Sequence, residues 1–307
     1  MQDVRVVFLG TGSATPSRER NVAAMAIAFD GRTLLFDCGE ATQHQLMRSD
    51  LAPSSIEAIF ITHLHGDHLY GLPGLIATLG LYGRERLLPI YGPPGLRRFL
   101  AALPYPGAPY GVEVHEAADC FGDGYRVVHR LLDHTVPCFG YSFLEDDRPG
   151  RFDVESARAL GVPEGPLFGA LQRGSAVTLP SGRVIEPASV VGPTRPGRRI
   201  VYCTDTRPCA ASIELARDAD LLVHEATYGD DMAAEAAPRG HSTAAEAARI
   251  AKAAGVRQLV LTHFSARYRD VAPLLADAQA VFPASEVAAD FAAFVVHATP
   301  STSSSSG

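Results

Sequence analysis

Ile61-Thr62-His63-Leu64-His65-Gly66-Asp67-His68 sets four potential metal ligands within six residues. They stand directly behind an apolar run, Ala58–Thr62 (AIFIT), which reads as a short buried strand. A strand end delivers side chains to a rigid edge, and the turn after it redirects them. Imidazole nitrogen mixed with carboxylate oxygen suits zinc. The H-x-H-x-D-H spacing allows two ligand groups, His63 and His65 toward one ion, Asp67 and His68 toward another. A lone His is usually an ordinary core or surface residue, but four such donors at this spacing point to a metal site.

Each zinc takes about four ligands with one position open for water, so this motif alone cannot fill two shells. Three more donors stand out along the chain: His134 in Leu132–Pro137 (LDHTVP), Asp205 in Tyr202–Pro208 (YCTDTRP) and His263 in Val260–Phe264 (VLTHF). An acidic side chain at Asp205 can bridge two cations. Five His and two Asp then suffice for a dinuclear site. His224–Thr227 (HEAT) and His241–Thr243 (HST) lie beside these ligands in chain order. A His oriented by Glu225 is a workable proton donor near neutral pH. His44, His115, His129 and His297 have no such context.

Around these motifs, short β-type runs alternate with helical patterns. Val4–Leu9, Ala24–Phe29, Thr33–Phe36, Arg126–His129, Tyr141–Leu144, Ile200–Thr204, Leu221–His224 and Gln258–Thr262 read as strands. Helices are expected after His68 and over Pro94–Leu103, Ser242–Ala254 and Val271–Val281. Ser242 or Thr243 caps the third of these, and Gly255 closes it. The order implies an α/β protein with helices outside sheets. Residues 148–199 break the pattern. They are crowded with Gly and Pro, lack a long periodic run, and hold eight Arg against four acids. They read either as a long surface loop or as an arm that touches polyanion. Ser301–Gly307 reads as a disordered tail.

The whole chain has 307 residues, of which 47% are hydrophobic and 20% charged, an ordinary globular balance that excludes global disorder. No apolar run reaches membrane-spanning length, and no signal peptide is evident, so no membrane association is expected. Five scattered Cys without a CxxC fit a reducing cytoplasm. The net charge of −7 argues against a protein basic all over, yet leaves room for a local basic patch. There is no G-x-S-x-G, and no Cys has a convincing partner, so a Ser or Cys nucleophile has weak support. A small-molecule hydrolase, or a nucleic-acid-binding protein with a structural metal, would share the metal residues.

Together these motifs resemble the metallo-β-lactamase superfamily and, within it, the ribonuclease Z family, across roughly residues 4–296. The discriminating stretches are Gly10–Ser13 with Pro16–Asn21 (PSRERN), Phe36–Glu40 (FDCGE), His134–Tyr141 (HTVPCFGY), Thr204–Pro208 (TDTRP), HEAT, HST and Thr262–Tyr268 (THFSARY). Leu160–Gly169 (LGVPEGPLFG) is similar to the family's tRNA-binding flexible arm. The family's early loop usually has Lys where this chain has Arg18; separately, the family often has Gly just before the acid at position 205, where this chain has Thr204, which leaves Asp205 available and is expected to crowd the pocket slightly. The resemblance implies an α/β, αββα sandwich over residues 1–300 with 148–199 as an inserted arm. It implies a zinc endonuclease acting on precursor tRNA as a homodimer. One zinc would be held by His63, His65 and His134, a second by Asp67, His68 and His263, and both by Asp205. Asp67, Glu225 and His241 would carry the catalysis. Arg18, Arg20, Asn21, Gly161, Pro163, Gly165, Pro166 and Arg173 would meet the substrate.

Overall fold

Along the Val4–Gly10 strand, Val4, Val6 and Phe8 face one apolar cluster, and Val7 and Leu9 another. Successive side chains of a strand point to opposite faces, so this strand is covered on both sides. The same division runs through the molecule and generates its layers. The computed structural model describes residues 3–103 and 108–297. It has two compact units, one built from the chain up to Leu144 and from Arg199 onward, the other from Glu145–Arg198.

The first unit holds two seven-stranded mixed sheets. One runs Ala293–Val296, Val4–Gly10, Ala24–Phe29, Arg32–Phe36, Ile56–Phe60, Leu88–Gly92, Val112–Glu116. Its first four strands pair antiparallel and its last four parallel. The other runs Ser285–Val287, Leu259–Thr262, Leu221–Glu225, Arg199–Cys203, Phe139–Glu145, Tyr125–Leu131, Cys120–Gly122, with its first four strands parallel. Phe8, Phe36 and Phe60 of one sheet and Tyr141, Phe143 and Val223 of the other meet in one central core. Helices Thr42–Arg48 and Leu72–Leu81 cover the first sheet, and Ala210–Ala216, Ala244–Ala254 and Ala272–Val281 the second. This is the expected four-layer αββα arrangement.

Boundaries differ from expectation where side chains intervene. The strand read as Ala58–Thr62 is Ile56–Phe60, because Thr62 turns inward and donates its N–H and hydroxyl to Asp37. The helix read as Pro94–Leu103 is only Leu96–Ala101, since Gly95 at φ 104° sets its start. The helix read as Ser242–Ala254 begins at Ala244. Thr243 accepts from Glu246 N–H while the Glu246 carboxylate accepts from Thr243 N–H, and Gly255 at φ 69° ends it.

The second unit is a folded body with its own core, not a long surface loop. Helices Val154–Ala159 and Pro166–Gln172 and the small Val177–Thr178/Val184–Ile185 hairpin enclose Ala157, Val162, Leu171, Val177, Leu179, Ile185 and Val190. These apolar residues are spread over short elements, so no single periodic run announces them. Gly161 at φ 82° leaves the first helix, and Gly165 at φ 124° precedes Pro166 at the start of the second. The unit's two chain ends run side by side, with bridges Arg148↔Arg195 and Phe152↔Val191. Ser301–Gly307 lies outside the described residues.

Candidate active site

The parallel strands of both sheets deliver their carboxyl ends to one place. Asp37 follows Arg32–Phe36, the His63–His68 loop follows Ile56–Phe60, Asp205 follows Arg199–Cys203, Glu225 ends Leu221–Glu225, and His263 follows Leu259–Thr262. Ligand sites of α/β folds form at such strand ends. Asp37, Asp205 and His263 all adopt left-handed backbone conformations, at φ 58°, 46° and 60°. Strain of this kind persists where the surroundings fix it, and it gathers at functional sites.

All seven proposed metal-binding side chains converge here. His63, His65, His134 and Asp205 form one group whose donor atoms lie within 4.8 Å of one another, and Asp67, His68 and His263 form a second. Within the first, His63 Nε2 is 3.0 Å from His65 Nδ1, and His134 Nε2 is 3.4 Å from that same atom. Within the second, His68 Nε2 and His263 Nε2 are 3.1 Å apart, with Asp67 Oδ2 3.4 and 3.6 Å from them. Asp205 spans both groups. Its Oδ1 is 3.2 Å from His68 Nε2 and 3.1 Å from His263 Nε2, and its Oδ2 is 3.7 Å from His63 Nε2. Thr204 donates its hydroxyl to Asp205 Oδ1 at 2.7 Å.

The outward nitrogens of four of these imidazoles are already occupied. His68 Nδ1 lies 2.8 Å from Asp37 Oδ2, His263 Nδ1 3.0 Å from Thr227 Oγ1, His134 Nδ1 2.8 Å from the Gly240 carbonyl, and His63 Nδ1 3.1 Å from Thr62 Oγ1. Thr62 and Thr227 give their own protons to Asp37 and Glu225, so they accept from the rings. Each ring therefore points a lone pair inward. Lone pairs facing each other at 3.1 Å, beside two carboxylates, repel unless a cation lies between them. Burial works against charge on His68, but Asp205 and Asp37 outweigh it and push that imidazole up, whereas burial and then the neighbouring His68 push His63 down. Burial likewise opposes charge on Asp67 and is outweighed by His263 and His68, which keep it ionised. The donor set fits a pair of divalent cations.

Beside the cluster, Glu225 is fully buried, and its Oε1 is 2.9 Å from His241 Nδ1. Thr206 N–H and the Thr227 N–H and hydroxyl donate to the same carboxylate. Burial opposes the imidazolium of His241, but Glu225 more than offsets it and pushes the group up to about 9. His224 takes no part in this arrangement. It shares the helix-facing side of its strand with Leu222, while Val223 and Glu225 face the other way. Asp37 and Thr227 carry structural support for the ligands that motif reading assigned to neither. The available signal was an acid immediately past an apolar strand for Asp37 and a hydroxyl two residues past one for Thr227.

The suggested substrate residues are dispersed. Arg18 is exposed. Arg20 reaches the Tyr268 and Arg269 carbonyls and lies over the Phe264 ring, and Asn21 donates to the Glu40 carbonyl, so both secure their own loop. Gly161, Pro163, Gly165, Pro166 and Arg173 are exposed on the 145–198 unit. Of the arginines noted there, Arg198 pairs with Glu145 and Arg158 with Glu164, leaving a smaller exposed excess that includes Arg151, Arg173 and Arg183.

Known proteins share this architecture and sequence. A family model described as "Anti-Pycsar protein Apyc1" matches residues 4–100, and one described as "Beta-lactamase superfamily domain" matches residues 163–264. The metallo-β-lactamase fold protein YhfI from Bacillus subtilis superposes with a TM-score of 0.69 over 96% of this chain and 100% of its own, at 19% identity, a likeness of fold. Human short-form tRNase Z superposes with a TM-score of 0.68 over 95% of this chain and 99% of its own, at 31% identity. Ribonuclease Z of Salinibacter ruber is 50% identical over 298 residues, covering 93% of this chain and 92% of the relative. Ribonuclease Z of Thermosynechococcus vestitus is 48% identical over 306 residues, 95% of this chain and 75% of the relative. With about half its residues matched along nearly its full length, this chain belongs to the ribonuclease Z family of the metallo-β-lactamase superfamily.

Proposed function

We propose that this tRNA 3′-processing endonuclease works with two zinc ions per subunit, His63, His65 and His134 holding one, Asp67, His68 and His263 the other, and Asp205 both. The observation that carries this reading is the convergence of seven donors on one strand-end cleft, with lone pairs turned inward. Bound there, the ions supply positive charge for the scissile phosphate and make water more acidic. Asp67 orients the attacking water and takes its proton. His241, held by Glu225, protonates the departing ribose 3′-oxygen. The products are a tRNA with a 3′-OH and a trailer with a 5′-phosphate.

Residues 148–199 act as the arm that grips the tRNA body, and exposed Arg151, Arg173 and Arg183 support that role through charge. Arg18 meets the RNA near the cut, with Arg20 and Asn21 holding its loop. The active form is a homodimer in the cytoplasm. Exposed Met47 on the Thr42–Arg48 helix, Leu81 and Tyr82 at the end of the Leu72–Leu81 helix, and Tyr70 just before it support a subunit contact there. No helix among the described residues is long and apolar enough to cross a membrane.

The test combines metal analysis with a map of the cut on a precursor tRNA. About two zincs per chain and one cut just beyond the discriminator base are expected. A single tightly enclosed ion, or cleavage scattered along the RNA, would overturn the reading.

A further inference from the structure

One half-buried carboxylate outside the cluster ties together the segments that bear on Asp67. Asp290 lies in the turn between the Ser285–Val287 and Ala293–Val296 strands. Its Oδ1 accepts from Thr11 N–H (3.0 Å) and the Thr11 hydroxyl (2.8 Å). Its Oδ2 accepts from Asn21 N–H (2.7 Å) and Gln45 Nε2 (3.0 Å). The turn itself is strained, because Phe291 sits at φ 68°, an uncommon conformation for a bulky side chain. It is kept by Phe291 N–H on the Phe8 carbonyl and Phe8 N–H on the Ala292 carbonyl.

Thr11 and Asn21 are the two ends of the loop that carries Ala14, and Gly12 N–H on the Asn21 carbonyl closes that loop at its base. From this base, Ala14 N–H reaches Asp67 Oδ2 at 2.7 Å, and the Thr11 carbonyl accepts from Phe264 N–H, next to His263. A loop of this length left to itself samples many backbone states. Charge-assisted hydrogen bonds to one carboxylate at its base restrict it.

We infer that Asp290 is a positioning residue for the reaction: by clamping Thr11 and Asn21 it holds the Ala14 amide on Asp67 and fixes that carboxylate beside His68 and His263. The inference rests on the proposed role of Asp67 as a ligand. Asp290→Asn keeps the side-chain shape but turns an NH2 toward two of the four donors. The test uses the full chain loaded with zinc, with folding followed by circular dichroism. Zinc loss to a chelator and kcat and KM on bis(p-nitrophenyl) phosphate are measured, and the variant is crossed with Asp67→Asn. Zinc loss about 10–100-fold easier is expected, with kcat reduced in the same range and KM little changed, as for removal of a ligand's outer partner. In the Asp67→Asn background, Asp290→Asn should add nothing to zinc loss. Unchanged zinc retention and kcat in the folded variant, a lowered melting temperature alone, or equal losses in both backgrounds would overturn it. If Asp290→Asn fails to fold, Thr11→Val, which removes one donor to the same carboxylate, decides on the same readouts. A smaller loss supports the inference and none overturns it. Zinc retention by Asp67→Asn equal to that of the parent would mean instead that the ligand assignment has failed, and the positioning role with it.

Discussion

Glu225 is fully buried beneath His241, and Thr206 and Thr227 fill the rest of its carboxylate, so the pair has one arrangement open to it. A held imidazolium matters most when the leaving group needs a proton. A ribose 3′-oxygen does, whereas p-nitrophenolate departs without one. His241→Ala should therefore slow precursor-tRNA cleavage by roughly 10²–10⁴-fold. Its effect on bis(p-nitrophenyl) phosphate should be far smaller, and steady-state kinetics on both substrates check this. Equal losses on the two would place His241 elsewhere in the mechanism. Glu225→Gln should show the same division more weakly, since the ring keeps its place but loses its counter-charge.

At the scale of elements, the helix Ala244–Ala254 follows His241 and starts from a reciprocal cap between Thr243 and Glu246. Thr243→Ala should lower stability by about 1 kcal/mol, read from urea unfolding. The paired ends of the 145–198 unit carry a pH dependence. Burial raises the Glu145 carboxyl, but Arg198 hydrogen-bonds it through its Nε, Nη2 and backbone N–H and brings the net value below the ordinary one. A carboxyl lowered in the folded state contributes stability above its unfolded pKa and loses it as pH falls through the folded one. Protection of residues 145–198 from hydrogen exchange should hold near neutrality and decline below about pH 4. In Glu145→Gln that decline should flatten.

Elements also explain what could be read in advance. Most ligands lie within a few residues of the end of an apolar strand, so motif and strand end announce each other, as in Val260–Phe264, whereas His134 comes three residues after the half-exposed strand Tyr125–Leu131. The strands Leu88–Gly92 and Val112–Glu116 escaped notice. The first carries Pro89 and Gly92, and the second alternates with Glu and His because it is only partly buried. The helix Thr42–Arg48 buries Thr42, Gln45 and Leu46, two of them polar, and leaves no apolar stripe to detect. Asp37 was hidden for a different reason. Its role depends on His68, 31 residues further along the chain, and only the folded sheet brings the two within 2.8 Å.

For the whole molecule, chemistry and substrate choice separate along the chain. Deleting residues 155–185 should leave hydrolysis of bis(p-nitrophenyl) phosphate near the parent level, whereas precursor-tRNA processing should collapse. Equal loss of both would make the insert merely structural. In the intact protein, the logarithm of the affinity for precursor tRNA should fall linearly with log salt as phosphate contacts release counterions. Leu81→Asp, on an exposed apolar position, should shift a dimer to monomer in light scattering. RNA processing should fall with it while small-diester turnover persists.

The neighbouring termini of the Glu145–Arg198 unit, where Gly150 passes so near Gly192 that a Cβ would strike the carbonyl, have a consequence for evolution and engineering. A body whose entrance and exit coincide is a cassette: it can be gained, lost or exchanged at one junction without asking the host strands to change register. Relatives carrying different cassettes at this junction would keep one cutting engine and acquire new RNAs by graft.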